Sequence, residues 1–349
     1  MRPRSAALVV SALSVLASCG MDRSNVAYGT PTSIIVISTD QVWESLRDSL
    51  QTALEPLVFT VRAERAFNVT HVRPDDPQTR QFRKFRQVLV IGRPSDSWVE
   101  PALAGADGAP DTLPALVETD DVWALGQHVT AIVLDPDQPA SGGLAVLDAV
   151  RQGVDERFRF FVLQKMYVSG VNEGLAERLL LEAGFALTLP RVYRAVPAEG
   201  VHVFKNDLPD PSQLARYVLI QQVEGTPPEP TVEAIVDWRD SIDVHYPRLM
   251  VSVREDLHQG TLEDGVFEVQ GRWETPPPDP DSDEAYYPGG GAFISRLVRC
   301  PDDDRAYLLD SWLYAPGKDK LEYIMQLRTI LSTFRCGDVA AGRTGVALR

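Results

Sequence analysis

Apolar positions along this chain follow two rhythms, one in each half. In the first half, Ser33-Ile34-Ile35-Val36-Ile37-Ser38 is an unbroken apolar run between hydroxyl residues, the pattern of a strand buried on both faces. Thr39 or Asp40 then caps a helix over Val42–Leu54, whose Val42, Leu46, Leu50 and Leu54 recur every four residues and so share one face. Leu57–Arg62 and Gln87–Ile91 predict two further strands, with a short amphipathic helix around Arg80–Phe85 between them. Gly105–Pro114 is a loop by composition. Val122–Leu134 predicts a long strand stopped by Asp135-Pro136-Asp137. Ser141 caps a long helix bearing Leu144, Leu147, Val150, Val154, Phe158 and Phe161, and a second helix, Glu173–Ala183, ends at Gly184.

The second half is richer in strands. Val201–Lys205 and Tyr217–Val223 predict a strand pair, and Thr226-Pro227-Pro228-Glu229-Pro230 a rigid turn. Thr231 caps a helix over Val232–Val244 that Pro247 closes. Val266–Trp273, Ala292–Arg299 and Arg305–Tyr314 follow as strands and Asp319–Phe334 as the last helix. Antiparallel strands with two helices on one side make an α+β sandwich. The expected class is therefore α+β, with antiparallel or mixed sheets packed against helices in two sub-domains, residues 33–190 and 191–336. The tail 337–349 is expected to be disordered.

The first residues change the picture. Arg2 and Arg4 precede an apolar run of about eleven residues that is too short to span a bilayer, which is the form of a secretory signal over residues 1–18. Its small residues run into a cysteine, Leu16-Ala17-Ser18-Cys19, which resembles the bacterial lipoprotein box. That resemblance implies cleavage before Cys19 and fatty acylation of its thiol and amine, with Gly20–Thr32 as a flexible tether. Each buried methylene contributes about 0.8 kcal/mol, so several acyl chains hold firmly. Gly20 stands where an inner-membrane retention aspartate would, so an outer-membrane location with the body in the periplasm is expected.

With 34 Lys+Arg against 49 Asp+Glu, the chain carries −15, and loss of Arg2 and Arg4 takes it to −17. Such a body repels phosphate backbones, which argues against nucleic-acid binding. It equally argues against lying on an anionic leaflet, leaving the lipid on Cys19 as the expected membrane contact. Two cysteines remain, Cys300 and Cys336. A strand of about 30 Å over Arg305–Tyr314 and a helix of about 24 Å running back beside it bring Cys336 to the turn beside Cys300. A disulfide is expected there, against the alternative of two buried or free thiols.

The chain has no G-x-S-x-G, S-x-x-K, H-E-x-x-H, C-x-x-C or phosphate-loop motif. His71, His128, His202, His245 and His258 are dispersed. Asp279, Asp281 and Asp283 alternate as in a calcium loop, but the turn glycine is replaced by Glu284 and the bidentate acid by Gly290, so a solvated acidic loop is the better reading. No catalytic, cofactor or metal residue is therefore expected. Gly289-Gly290-Gly291 precedes a strand, which suits a hinge or bulge better than a phosphate cradle. Trp273, Tyr286, Tyr287, Trp312 and Tyr314 lie on or beside neighbouring strands and form the candidate ligand pocket, for a glycan or peptide.

Gly289–Ser295, then Trp312-Leu313-Tyr314-Ala315-Pro316-Gly317-Lys318-Asp319-Lys320, Glu322-Tyr323 and Gln326-Leu327, resemble the bacterial lipoproteins that carry the domain of unknown function DUF4837. Trp43 with Asp48-Ser49-Leu50, Pro190-Arg191-Val192-Tyr193 and Arg239-Asp240-Ser241 extend the likeness from Ser33 to Phe334. The resemblance implies an envelope lipoprotein and no established activity. The second half also has the strand and helix order of Mog1/PsbP-like domains, which implies a fold and no function. A non-enzymatic binding or assembly accessory is the leading expectation, with an envelope protein as partner. The alternatives are an envelope hydrolase using Glu268 or Glu274 with Asp310, and a carrier of a hydrophobic ligand.

Overall fold

The computed structural model describes residues 25–106, 108, 110–223, 226–242, 250–261, 266–276, 288–300 and 305–337. Cys19, Tyr286, Tyr287, the acidic loop at 279–283 and the tail beyond 337 lie outside them. The protein is α+β, built on two large sheets.

The first half runs β1 (Ser33–Ile37), α1 (Asp40–Leu54), β2 (Leu57–Phe59), β3 (Ala63–Arg65), β4 (Asn68–Val72), α2 (Thr79–Phe82), β5 (Gln87–Gly92), α3 (Glu100–Gly105), β6 (Ala115–Asp120), β7 (His128–Val133) and α4 (Leu147–Met166). Thr39 caps α1, its hydroxyl accepting from Val42 N. The sheet order is β4-β1-β5-β7-β6, parallel except for β6, which pairs antiparallel with β7. β1, β5 and β7 are rich in Ile, Val and Leu and buried along nearly their whole length because both faces are covered, with Gln87, His128 and Thr130 as their buried polar members. Leu46, Leu50 and Leu54 of α1 and Val150, Val154, Phe158 and Val162 of α4 cover one face. Val99, Ala102 and Leu103 cover the other. The expected long strand Val122–Leu134 is instead a hairpin arm. Asp121, at φ 58°, turns the chain between β6 and β7, and the strand proper begins at His128.

The second half continues with α5 (Glu173–Ala183), β8 (Phe185–Ala186), β9 (Arg194–Val196), β10 (His202–Asn206), β11 (Ala215–Gln222), α6 (Val232–Ser241), β12 (Val251–Ser252), β13 (His258–Thr261), β14 (Phe267–Glu274), β15 (Gly290–Arg299), β16 (Ala306–Tyr314), α7 (Leu321–Ser332) and β17 (Arg335–Cys336). Its eight-stranded sheet is antiparallel in the order β12-β14-β15-β16-β11-β10-β9, with β13 also on β14. Alternation along the strands splits its two faces. Tyr307, Leu309 and Leu313 pack with α5 and α7, whereas Leu308 and Trp312 pack with Ile235 and Val236 of α6. The two helices α6 and α7 thus lie on opposite faces of the sheet, not on one side. The cause is visible in β16, where all but the last of nine residues are buried, so both faces demand cover.

Two boundaries differ from expectation. Leu175, Leu179, Phe185, Leu187 and Leu189 belong to the core of the second sheet, so the chain changes allegiance within α4 and α5, before residue 191. Residues 25–28, expected within the tether, are laid along the body. Ala27 N donates to Leu125 O at 2.9 Å and Tyr28 N to Lys84 O at 3.0 Å, while Arg86 N returns a bond to Tyr28 O. No helix of the described residues is long and apolar enough to cross a membrane.

Candidate functional site

The described members of the aromatic group do come together, but as packed rings. Tyr217 of β11 is in register with Trp312 of β16, and their rings stack at 3.8 Å and 15°. Trp273 of β14 meets Trp312 edge-on at 5.5 Å, with Tyr314 at 6.4 Å and half-buried at the margin. The glycine run explains how an indole fits among strands. A Cβ on Gly291 would lie 1.7 Å from Leu313 O and 2.8 Å from Trp273 Nε1. Only glycine lets Trp273 pass over β15 and donate from Nε1 to Leu313 O at 3.2 Å. The space above Gly291 is therefore filled by the protein's own tryptophan.

Beside these rings lies a polar cluster that periodicity did not point to. Asp310 of β16 and Arg239 of α6 are both buried, with Arg239 Nε 3.2 Å from Asp310 Oδ1. Ser295 also donates to Asp310. Arg239 continues to Asp240 and Ser252 and lies 4.2 Å over the Phe293 ring. Burial pushes the Asp310 carboxyl above its ordinary value, against the pull of Arg239 and Ser295. One signal in the sequence marks this cluster: Arg239 stands four positions after Ile235, on the apolar face of its helix.

Glu268 forms a second cluster on the other face. It accepts from Arg296 Nε at 2.8 Å and from Arg328 Nη2 of α7 at 3.0 Å, and Arg328 also reaches Gln270. Burial pushes Arg296 below its ordinary value, opposed by Glu268. Glu268 and Asp310 therefore sit on opposite sides of one sheet and share no cleft. Glu274 is exposed and paired with Arg272. At the margin of the sheet Asp207 accepts from Arg194 and from Lys205 at 3.0 Å. Burial raises its carboxyl, but these two cations outweigh that and hold it below the usual range.

In the first half, His128 Nδ1 lies 2.9 Å from Asp120 Oδ1, with Thr130 and Glu118 close by. Burial pushes its imidazole below the ordinary value, although the Asp120 hydrogen bond opposes this. The adjacent crevice, lined by Ile34, Leu89, Val150 and Val154, has room for about one water. Cys300 and Cys336 are joined as a disulfide, with their Cα atoms 5.8 Å apart. No group of three or more potential metal-ligating side chains converges among the described residues.

Residues 175–333 match the family model DUF4837, a domain of unknown function. The chain carries a DUF4837 domain. Residues 27–137 match a second domain of unknown function, DUF8532, so the DUF4837 match is shorter than the expected span from Ser33 to Phe334. Among solved structures, the yeast (Saccharomyces cerevisiae) Ran-binding protein Mog1p aligns over 46% of this chain and 93% of its own, at 11% identity and TM-score 0.32. PsbP of the cyanobacterium Synechocystis aligns over 44% and 86%, at 13% identity and TM-score 0.29. Likenesses this distant carry nothing about activity. No curated protein matches the sequence.

The closing segment of the DUF4837 match has a structural use. Lys320 reaches Glu64 of β3 at 3.5 Å, and Glu322 pairs with Lys165 of α4 at 2.8 Å. Gln326 accepts from Arg216, whose guanidinium lies 5.5 Å over Tyr323. These polar residues bolt α7 to its own sheet and the DUF4837 domain to the first half.

Proposed function

We propose that the protein is a lipid-anchored component of the cell envelope whose body acts by binding, as a non-enzymatic accessory to another envelope component. Leu16-Ala17-Ser18-Cys19 supports the anchor, and a disulfide between Cys300 and Cys336 suits an oxidising compartment. One observation carries the preference for binding over hydrolysis. The carboxylates suited to acid–base work, Glu268 and Asp310, are each engaged by arginine on opposite faces of a sheet. A glycosidase needs two carboxyl groups about 5–10 Å apart across an open cleft.

The test is crosslinking in intact cells followed by recovery of the lipidated protein from membranes. A reproducible envelope partner is the expected result. Turnover of a peptidoglycan or glycan substrate by the purified protein would overturn the accessory role.

A further inference from the structure

The chain as a whole is acidic, yet the stretch from Pro77 to Gly92 carries Arg80, Arg83, Lys84 and Arg86 and no acidic residue. The fold places this stretch where the N-terminal segment joins the body. Tyr28 OH donates to Gln81 O at 2.8 Å, Lys84 Nζ to Asn25 Oδ1 at 2.7 Å and Arg86 Nε to Gly29 O at 3.2 Å. Gly29, at φ 89°, lies so close to Phe85 that a Cβ would come within 2.6 Å of its ring. The tip of the β6–β7 hairpin completes this end, with Gln127 Nε2 donating to the Phe85 carbonyl and Arg83 lying over the Trp123 ring. Val26, Tyr28 and Leu125 remain 55%, 36% and 44% exposed there. Of the nearby acids, Asp120 pairs with Arg157 and His128 and Asp75 with Arg73, while Asp121 and Asp76 accept from the backbone N–H of Gly126 and Gln78 and keep their charge.

The distance to the anchor limits what this end can face. Five residues lie between Cys19 and Asn25, so the six steps of chain span at most about 22 Å. A body held that closely presents its point of attachment to the bilayer.

We propose that this end of the body, built from residues 25–30, 80–86 and 121–127, docks on the anionic lipid headgroups of the membrane that holds the anchor. Exposed Arg80 and half-buried Arg83 and Lys84 meet the negative surface, Arg86 lying over the Phe161 ring of α4, and Tyr28, Val26 and Leu125 enter the interfacial layer. The inference rests on acylation of Cys19 as proposed above, and it revises the expectation that the acyl chains are the only membrane contact. Basic groups and acyl chains together make the two-signal attachment that secures peripheral proteins.

The test separates the two ideas. The chain from Cys19 onward, with Cys300 and Cys336 oxidised, is coupled through the Cys19 thiol to a maleimide phospholipid. It is carried on vesicles of either phosphatidylcholine alone or phosphatidylcholine with phosphatidylglycerol, and amide exchange is read by mass spectrometry. Slower exchange at 25–30, 80–86 and 121–127 only on the phosphatidylglycerol vesicles is expected. It should weaken about fivefold for each charge removed in Arg80→Gln and Lys84→Gln. In the unaltered chain it should vanish in about 0.5 M salt, where screening is strong. Equal exchange on both vesicles, or protection on another face, overturns the docking whatever the state of Cys19 in cells. Acylation is read separately, from the mass of the N-terminal peptide of the cellular protein.

Discussion

The two sheets solve the same problem of burying both faces in opposite ways. In the first, β1, β5 and β7 are lined by Ile, Val and Leu, and helices on each side add more of the same. In the second, each face holds an ion network within its apolar core, Asp310–Arg239 under α6 and Glu268–Arg296–Arg328 under α7. An apolar core tolerates loss of one group at the cost of a cavity. A buried ion pair tolerates loss of neither partner singly, because the survivor is left charged and dry.

That contrast is testable by breaking each half in its own way. The largest effect belongs to the ion networks. Asp310→Ala takes the buried acceptor from Arg239 Nε and from Ser295, leaving Arg239 to Asp240 and Ser252, and should cost about 3 kcal/mol or more in denaturant unfolding. The double variant Asp310→Leu with Arg239→Met should recover most of it, and no recovery would mean that the pair is not the cause. Next comes the crosslink: Cys300→Ser with Cys336→Ser opens a loop whose ends are 36 residues apart and should cost about 4 kcal/mol, seen as a lower Tm. In the first half Leu50→Ala, beneath α1, should cost about 3 kcal/mol. Its cost should be the same at pH 5 and pH 8, since no titrating group is exposed by it.

The smallest effects lie in pH. His128 is held below its ordinary 6.5, so its contribution is complete above that pH and is lost as pH falls from 6.5 through the lower folded value. Asp207 is held below 3.8, so its contribution is present above 3.8 and is lost as pH falls below it through the folded value. His128→Gln should flatten the first slope of stability against pH and leave the second, and Asp207→Asn should do the reverse. Chemical unfolding at a series of pH values reads both.

Much of this architecture is legible from local pattern. The apolar run at 33–38, the four-residue spacing in α1, the Thr39 cap and the Gly184 stop all act within one element, so the residues alone reveal them. What is not legible depends on contacts across the chain. β4, with its Val-Thr-His-Val alternation, is an edge strand with weak hydrophobic signal. The β6–β7 hairpin is hidden because Val122 and Trp123 put apolar residues in the turn. Arg296 and Glu268 look like solvent-facing charges until the opposite charge is seen across the fold, whereas Arg239 is marked by its place four residues after Ile235. The pinning of Val26 and Tyr28 depends on Leu125 and Lys84, far along the chain. The aromatic group shows in the sequence but its packing does not, since nothing in the spacing of Trp273 and Trp312 says that Gly291 makes room for the indole.

The claim on which the functional account stands is the acylation of Cys19. Protein recovered from the membrane fraction of cells fed labelled palmitate should begin at Cys19, carry the label and show acyl masses on its N-terminal peptide. Unlabelled protein in the cytosol with Met1 still in place would contradict it.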